Sequence, residues 1–405
     1  MLGTYRAAFR TPGTAEFTAA GFVMRMPIAI YPIGLVLLLS IRTGHYSFAG
    51  LLSGTYVVAN GVGTPILGRL VDRYGQHRVL IPASAGHIAA AIALGLLVGA
   101  NAPDGALLAP AVVLGFCYLS VGSLTRARWS FVLAGRPELT TGYSVESVLD
   151  EVIFTVGPLI ATLVATQIDP LGVLVVGSAL VGVGAVWLRQ QRSTEPPAHP
   201  TGTARHPSAL RYPGLPLLIV AGAAMGGVFA SAEVTAIAFC GQRGATAWSG
   251  LVLAAFATGS AVSGFFYGSR HWRPPVLDRF RVQALVFGLL PWLFLLATNI
   301  PVLAAIIFVV GLGIAPTLIT AFTLIQQIVP AAALTESMGW FSTGIAVGYG
   351  IMSALVGRIA DAHGARPAFL VTVGCGLALG VTAVVLHRQL ARRPVAPQPV
   401  SVGPE

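Results

Sequence analysis

The chain has 405 residues, of which 55% are hydrophobic and 9% charged, with a formal net charge of +10 and a mean hydropathy of +0.79. A soluble domain carries about 25% charged residues, so the composition excludes one and indicates a polytopic membrane protein in contact with a lipid bilayer. The basic excess is all arginine, with no lysine, and falls in short clusters between apolar runs. Such clusters make no basic face on a folded domain, which argues against a nucleic-acid partner.

Crossing a hydrocarbon layer about 30 Å thick takes about 20 helical residues. Runs of suitable length lie near residues 17–41, 46–67, 79–100, 106–125, 141–168 and 170–188, and these are spans 1 to 6. Residues 189–211 are rich in Pro, Thr, His and Arg. They bury too little apolar surface to offset ordering and are expected to be a flexible cytoplasmic linker. Spans 7 to 12 follow near 213–239, 247–268, 282–299, 301–327, 334–356 and 367–387. The expected organisation is a six-helix bundle over 1–188, the linker over 189–211, a second bundle over 212–388 and a disordered cytoplasmic tail over 389–405. The short joins near Asp169 and Ile300 are where one long hairpin is most easily mistaken for two helices.

With the N-terminus inside, Arg69, Arg73, Arg78, Arg126, Arg128, Arg136, Arg189, Arg192, Arg205 and Arg211 fall on the cytoplasmic side. So do Arg270, Arg273, Arg279, Arg281, Arg388, Arg392 and Arg393, leaving Arg42, Arg243, Arg358 and Arg366 outside. The positive-inside rule therefore places both termini in the cytoplasm. Cys117, Cys240 and Cys375 lie far apart within apolar runs and suggest packing rather than a disulfide or metal pattern. No cofactor or metal ligand set is expected, nor a cleaved leader.

The halves repeat at an offset close to 200 residues: Ala20-Gly21 with Ala221-Gly222, Gly50-Leu51 with Gly250-Leu251, and Gly68 with Gly268. Val145-Glu146-Ser147 and Thr335-Glu336-Ser337 match at an offset of 190. Duplicated halves imply a substrate path along their interface near the membrane midplane.

Charge inside a membrane is expensive and marks candidate sites. Span 5 opens with Glu146, Asp150 and Glu151. Glu146 and Asp150, four apart, share a helix face, while Glu151 turns about 100° away. Arg126 and Arg128, at the inner end of span 4, are expected to neutralise two of the three. The unpaired carboxyl is then a proton-coupling candidate, with Asp150 preferred as deeper than Glu146 and structural pairing as the alternative. Arg25 in span 1 costs roughly 2.5 to 3.5 kcal/mol on insertion scales unless it meets a partner or water. It either faces the cavity, where it attracts an anion or pairs with span 5, or snorkels to the surface. Glu233 is the sole acid of span 7 and is either a cation or proton site or an outer-rim residue. His87 reads as a packed histidine. In span 10, Pro316, near Gly311 and Gly313, frees a carbonyl and bends the helix, and Gln326 and Gln327 at its inner end are expected to close the cavity.

Between spans 2 and 3 stands Gly68-Arg69-Leu70-Val71-Asp72-Arg73-Tyr74-Gly75-Gln76-His77-Arg78. It resembles the signature loop of the major facilitator superfamily, and the length, topology and repeat extend the resemblance over nearly the whole chain. The resemblance implies an all-α membrane protein of twelve transmembrane helices in two pseudo-symmetric bundles, working by alternating access and not as an enzyme. It also implies that Asp72 and Arg73 hold the cytoplasmic side shut while the outside is open, with Gly68 and Gly75 permitting close packing and a tight turn. Asp72 would face the N-terminus of span 11, and Glu336 there would pair with Arg69 or Arg73. Arg78 completes the pattern, whereas Gln76 and His77 stand where the family usually has basic residues. Gly157-Pro158 is similar to the span 5 motif of drug/proton antiporters, but Ile153 and Ala161 replace its flanking glycines. The expectation is a monomeric carrier of the bacterial plasma membrane, exporting a small organic molecule against a proton flux. Uptake of a sugar or organic anion, and a non-transporting sensor, stay open.

Overall fold

The computed structural model describes residues 9–134, 136, 138–198, 209–268, 272–329 and 331–391, with the side chains of all but 140, 209, 268 and 331–336 among them. These residues form helices and no strand. Six helices precede the linker: α1 (Thr14–Thr43), α2 (Ser47–Tyr74), α3 (Gln76–Gly99), α4 (Asp104–Val132), α5 (Leu139–Leu163) and α6 (Gly172–Gln190). Six follow it: α7 (Leu215–Gly241), α8 (Ser249–Gly268), α9 (Val276–Leu296), α10 (Ile300–Ile328), α11 (Ala331–His363) and α12 (Ala365–Ala391).

Eleven helices are long and apolar enough to cross a membrane, and α2 completes the twelve. Its hydropathy is diluted by Gly, Ser, Thr and Asn, and that composition has a packing cause. A Cβ added at Gly50 would lie 2.3 Å from the Ser353 carbonyl oxygen, and one at Gly54 2.6 Å from that of Gly350. Within lipid there is little hydrophobic drive between helices, so small residues that let backbones touch supply the association. α2 and α11 use this to cross closely, running antiparallel from Tyr46 against Gly357 to Gly61 against Ala346.

The two short joins are true breaks. Asp169 Oδ1 accepts the Leu171 N–H at 2.7 Å before α6, and Asn299 Oδ1 accepts the Val302 N–H at 2.9 Å to cap α10. Span 10 bends at Leu312–Gly313, between segments ending at Gly311 and starting at Ile314. Pro316 therefore sits in the first turn of the second segment, where a helix has no N–H partner to lose, so the bend lies upstream of the proline.

Two expectations need correction. The charged stretch from Gly68 is not a loop: α2 stays helical through Tyr74 and α3 starts at Gln76, so the link is Gly75 alone, at φ +87°. The linker is not flexible from residue 189, since α6 runs to Gln190 and a 3₁₀ turn, Arg192–Thr194, docks on the N-terminal half. Residues 199–208, 269–271 and 392–405, with Arg205, Arg270, Arg392 and Arg393, lie outside the described residues.

The halves are joined chiefly at one end. There α2 meets α11, α5 meets α8 and α1 approaches α7. Asp361, near the end of α11, accepts the Tyr46 and Ser47 N–H groups at 2.7 Å each, capping the N-terminus of α2 from the opposite half. Thr162 of α5 lies 3.5 Å from Ser249, and a Cβ on Gly250 would meet the Pro158 carbonyl oxygen at 2.9 Å. At the other end, which carries the Gly75 turn and the start of the linker, a Cβ on Gly68 would meet nothing within 4 Å. The interface is thus sealed at one end and parted at the other.

Candidate transport site

The kink in α1 makes the first part of the site. Pro27 opens the second segment of α1, and the Ala29 N–H bonds the Met26 carbonyl at 3.2 Å, leaving the Arg25 carbonyl without its helical partner. The Tyr118 hydroxyl takes up that carbonyl at 3.0 Å and the Met24 carbonyl at 3.2 Å. Tyr118 is itself available because α4 is interrupted between Phe116 and Val121.

Arg25 is buried, with a relative exposure of 4%. Its Nη1 donates to Asp150 Oδ1 at 2.6 Å, and its Nη2 to Thr125 Oγ1 at 2.6 Å and to Glu146 Oε2. Glu146, fully buried, also accepts from Thr125 Oγ1 at 2.7 Å and from Trp129 Nε1 at 2.9 Å. Arg126 Nη2 donates to Asp150 Oδ2 at 2.7 Å. Two guanidinium groups and two carboxylates therefore balance, and every carboxylate oxygen has a donor. Burying such charges is tolerable only with this degree of pairing. Arg25 is neither free for an anion nor snorkelling; of the sequence alternatives, pairing with span 5 is the one observed.

The helix turn that joins Glu146 and Asp150 on one face sends Glu151 to another. Glu151 is half-buried and has no hydrogen bond or ion pair among the described residues. It precedes Thr162 by three helical turns, which puts both on the α5 face that meets α8 at the seal. The leftover carboxyl is thus Glu151, whereas Asp150, the preferred candidate, holds two arginines.

Arg128, expected to neutralise the same cluster, points elsewhere. Arg126 and Arg128 are two residues apart, about 200° round a helix. Arg128 is fully buried, and its Nε donates to Gln76 Oε1 at 2.7 Å. Its Nη groups donate to the Gln191 carbonyl at 2.7 Å, Thr194 Oγ1 at 2.9 Å and the Leu188 carbonyl at 3.1 Å. Glu195 Oε1 then accepts the His77 N–H at 3.0 Å at the start of α3, with His77 Nδ1 2.9 Å away. Gln76 and His77, the departures from the family pattern, are therefore the residues that hold the linker. A Cβ on Gly75 would also meet Glu195 Oε1 at 2.9 Å, so that turn needs glycine for both conformation and space.

In the C-terminal half Glu233 is half-buried, and its Oε2 accepts from the Tyr349 hydroxyl of α11 at 2.7 Å. Glu233 is thus tied to α11, the helix that packs against α2 in the seal. The Ser53 hydroxyl of α2 donates to the Pro32 carbonyl at 2.8 Å. Sequence reasoning missed Ser53, Tyr349 and Asp361. Periodicity could flag polar residues on glycine-rich faces of α2 and α11, but their partners are set by tertiary contact.

The remaining candidates are dispersed. Asp72, Arg73 and Arg78 are exposed at the parted end, and Arg73 lies over the Tyr74 ring at 5.2 Å. The side chain of Glu336 is outside the described residues. Pro316 is buried inside the C-terminal half and does not border open space, while Gln326 and Gln327 are exposed. His87 is packed as expected, its Nδ1 2.8 Å from the Leu114 carbonyl between the Tyr31 and Tyr118 rings.

A family model described as Major Facilitator Superfamily matches residues 17–274 and 250–404. No curated protein matches. The fold is similar to a crystal structure of the nucleoside transporter NupG, at 12% identity over 92% of this chain and 99% of that one, with a TM-score of 0.72. It is also similar to the peptide transporter POT in complex with sulfate, at 15% identity over 94% of each chain and a TM-score of 0.73. A bacterial homologue of the iron transporter ferroportin in an inward-facing state matches at 15% identity over 92% and 98%, with a TM-score of 0.68. At these identities the likeness shows the fold.

Proposed function

Because the chain belongs to the Major Facilitator Superfamily and is a multi-pass membrane transporter rather than an enzyme, we propose that it is a proton-coupled, alternating-access carrier exporting a small organic compound. The observation that carries this is the interface itself, closed by backbone contacts between α2 and α11 at one end and parted at the other. Such an interface has two ways to close. Asp72 and Arg73 face solvent at the parted end, which fits a latch engaged only in the opposite state, with Glu336 as its counterpart. By the positive-inside rule the parted end is cytoplasmic, in a bacterial plasma membrane, with both termini on that side.

Proton coupling is supported by the hydrogen bond between Tyr349 of α11, the helix that forms the seal with α2, and the Glu233 carboxyl group. Its hydrogen bonds and hydration change when the seal opens, and a carboxyl's proton affinity follows both. Gly157-Pro158 packs beside the seal, a Cβ on Gly157 meeting Ala29 Cβ of α1 at 2.5 Å and the Pro158 carbonyl facing Gly250 of α8, but without the flanking glycines of the antiporter motif it weakens rather than supports export, and the direction is decided by the assay. The test uses everted vesicles energised to an acidic lumen and a panel of radiolabelled metabolites and antibiotics. Accumulation that is lost on collapsing the pH gradient, and in Glu233→Gln, is expected. Accumulation that survives the collapse contradicts proton coupling, and gradient-driven loss from the lumen contradicts export.

A further inference from the structure

Away from the interface between the halves, a second opening lies where the linker enters the C-terminal bundle. We propose that the cavity between the start of α7 and the end of α12 binds the phosphate headgroup of an anionic phospholipid, with an acyl chain laid along the groove that continues from it.

The cavity measures about 500 Å³. It is lined toward the helix ends by Arg211, Tyr212 and Gln389, and further along the helices by Leu217 and Val385. That order suits an amphiphile, polar where α7 and α12 leave the apolar layer and apolar within it. The apolar strip runs on toward the middle of the bilayer. Val220 follows Leu217 by three residues and Val381 precedes Val385 by four, which keeps each pair on one helix face, and Val220 and Val381 are both exposed. Tyr212 is half-buried at the mouth, a ring with an apolar body and a polar tip of the kind found at headgroup level.

The charge at the mouth is of one sign. Arg211 lines the cavity, and Arg388 flanks it beside Gln389 on α12. Both are exposed, and neither has a hydrogen bond or ion pair among the described residues. α12 contains no acid, and the sole acid of α7, Glu233, lies about five turns from its start. Asp278 of α9, the acid that reaches α12, is taken by His387 at 2.8 Å, with Arg281 3.7 Å away. Gly214, at φ +93°, opens α7 without a side-chain cap, so the first N–H groups add to the positive potential. Arginine pairs with phosphate through charge-assisted, often bidentate hydrogen bonds. A free phosphate would satisfy the mouth alone, whereas the exposed strip of valines fits a lipid. Basic pockets between membrane helices on the cytoplasmic side take anionic headgroups in this way. Arg211 ends the linker, so an occupied site ties the linker's far end to the bilayer, as Arg128 and His77 tie its start to the N-terminal half. Only the choice of leaflet rests on the orientation proposed above.

Native mass spectrometry of the purified full-length protein in detergent micelles, titrated with dioleoyl-phosphatidylglycerol or dioleoyl-phosphatidylcholine, resolves the first lipid bound. The two lipids share their chains and differ in headgroup charge. The first phosphatidylglycerol is expected to bind about tenfold tighter than the first phosphatidylcholine, and Arg211→Gln and Arg388→Gln should each weaken it by about fivefold. Arg189→Gln, which removes an exposed arginine at the end of α6 in the other half, should leave it unchanged. Equal binding of the two lipids, or full affinity in both Gln variants, would overturn the assignment. So would an equal loss in Arg189→Gln, the mark of diffuse surface attraction. Glycerol phosphate that displaces phosphatidylglycerol at equal concentration would make this a soluble-anion site and overturn the lipid. Should a variant fail to fold, the headgroup comparison on the unaltered protein still decides.

Discussion

Replacing Arg25 by methionine probes the charge balance most sharply. The guanidinium contacts Glu146, Asp150 and Thr125 at once, and its removal leaves Glu146, fully buried, with only Thr125 Oγ1 and Trp129 Nε1 as donors. Breaking a buried pair from one side costs about 3 to 5 kcal/mol, because the orphaned charge stays desolvated. Asp150 keeps Arg126 and adds less. For a cooperative unit the size of one bundle, at about 2 to 4 °C per kcal/mol, Arg25→Met should lower the melting temperature by roughly 6 to 20 °C. The double variant Arg25→Met/Glu146→Gln removes the charge while its amide oxygen still accepts from Trp129 Nε1 and its amide N–H can donate to Thr125 Oγ1, and should recover more than half of the loss. Thermal unfolding of detergent-solubilised protein, followed by tryptophan fluorescence, measures both. A loss of about 1 kcal/mol or less for the single variant, as for an exposed pair, or no recovery in the double, would refute the reasoning.

Asp361→Asn replaces a carboxylate by an amide at the cross-half cap on α2, which should weaken the seal by about 1 kcal/mol, discounted for exposure. The population open at that end should then rise about fivefold, read as faster labelling of Val58→Cys by an impermeant thiol reagent. Gly54→Val should prevent the seal from forming, since its Cβ would lie 2.6 Å from the Gly350 carbonyl oxygen; transport should be lost while the protein remains folded by thermal shift. Retained transport would contradict the close α2–α11 crossing. Arg128→Met should release the linker, seen as faster tryptic cleavage at Arg192, and unchanged cleavage would contradict its clamping role.

How much of the fold and site is legible in the sequence depends on whether a property is local. Eleven of the twelve spans stand out by apolar length while α2, diluted by small polar residues, is the least distinct, and the need for glycine at Gly75 follows from the turn. The pairing of Glu146 with Asp150 on one face is helix arithmetic, and the same arithmetic makes Arg126 and Arg128 diverge, against the expectation that both serve one cluster. Hydropathy locates where α2 leaves the apolar layer, near Gly68, but hydrogen bonding continues to Tyr74, so a polar helix end passes for a loop. The docked linker cannot be inferred from composition, because Thr194 and Glu195 are ordered by Arg128 and His77, more than 60 residues away. Tyr349 and Asp361 likewise acquire meaning only from contacts with α7 and α2.

The central claim is that the halves rock about the interface, closing one end as the other opens. Electron-electron distance measurements between spin labels test it, with Cys117, Cys240 and Cys375 first replaced. One label pair, at Gly68 and Gly339, reports the parted end, where an added Cβ meets nothing within 4 Å. The other, at His45 and His363, both exposed, reports the sealed end. Shifting pH in lipid nanodiscs should yield a population in which the first distance shortens while the second lengthens. Distances that stay fixed, or that move in the same direction at both ends, would contradict the account.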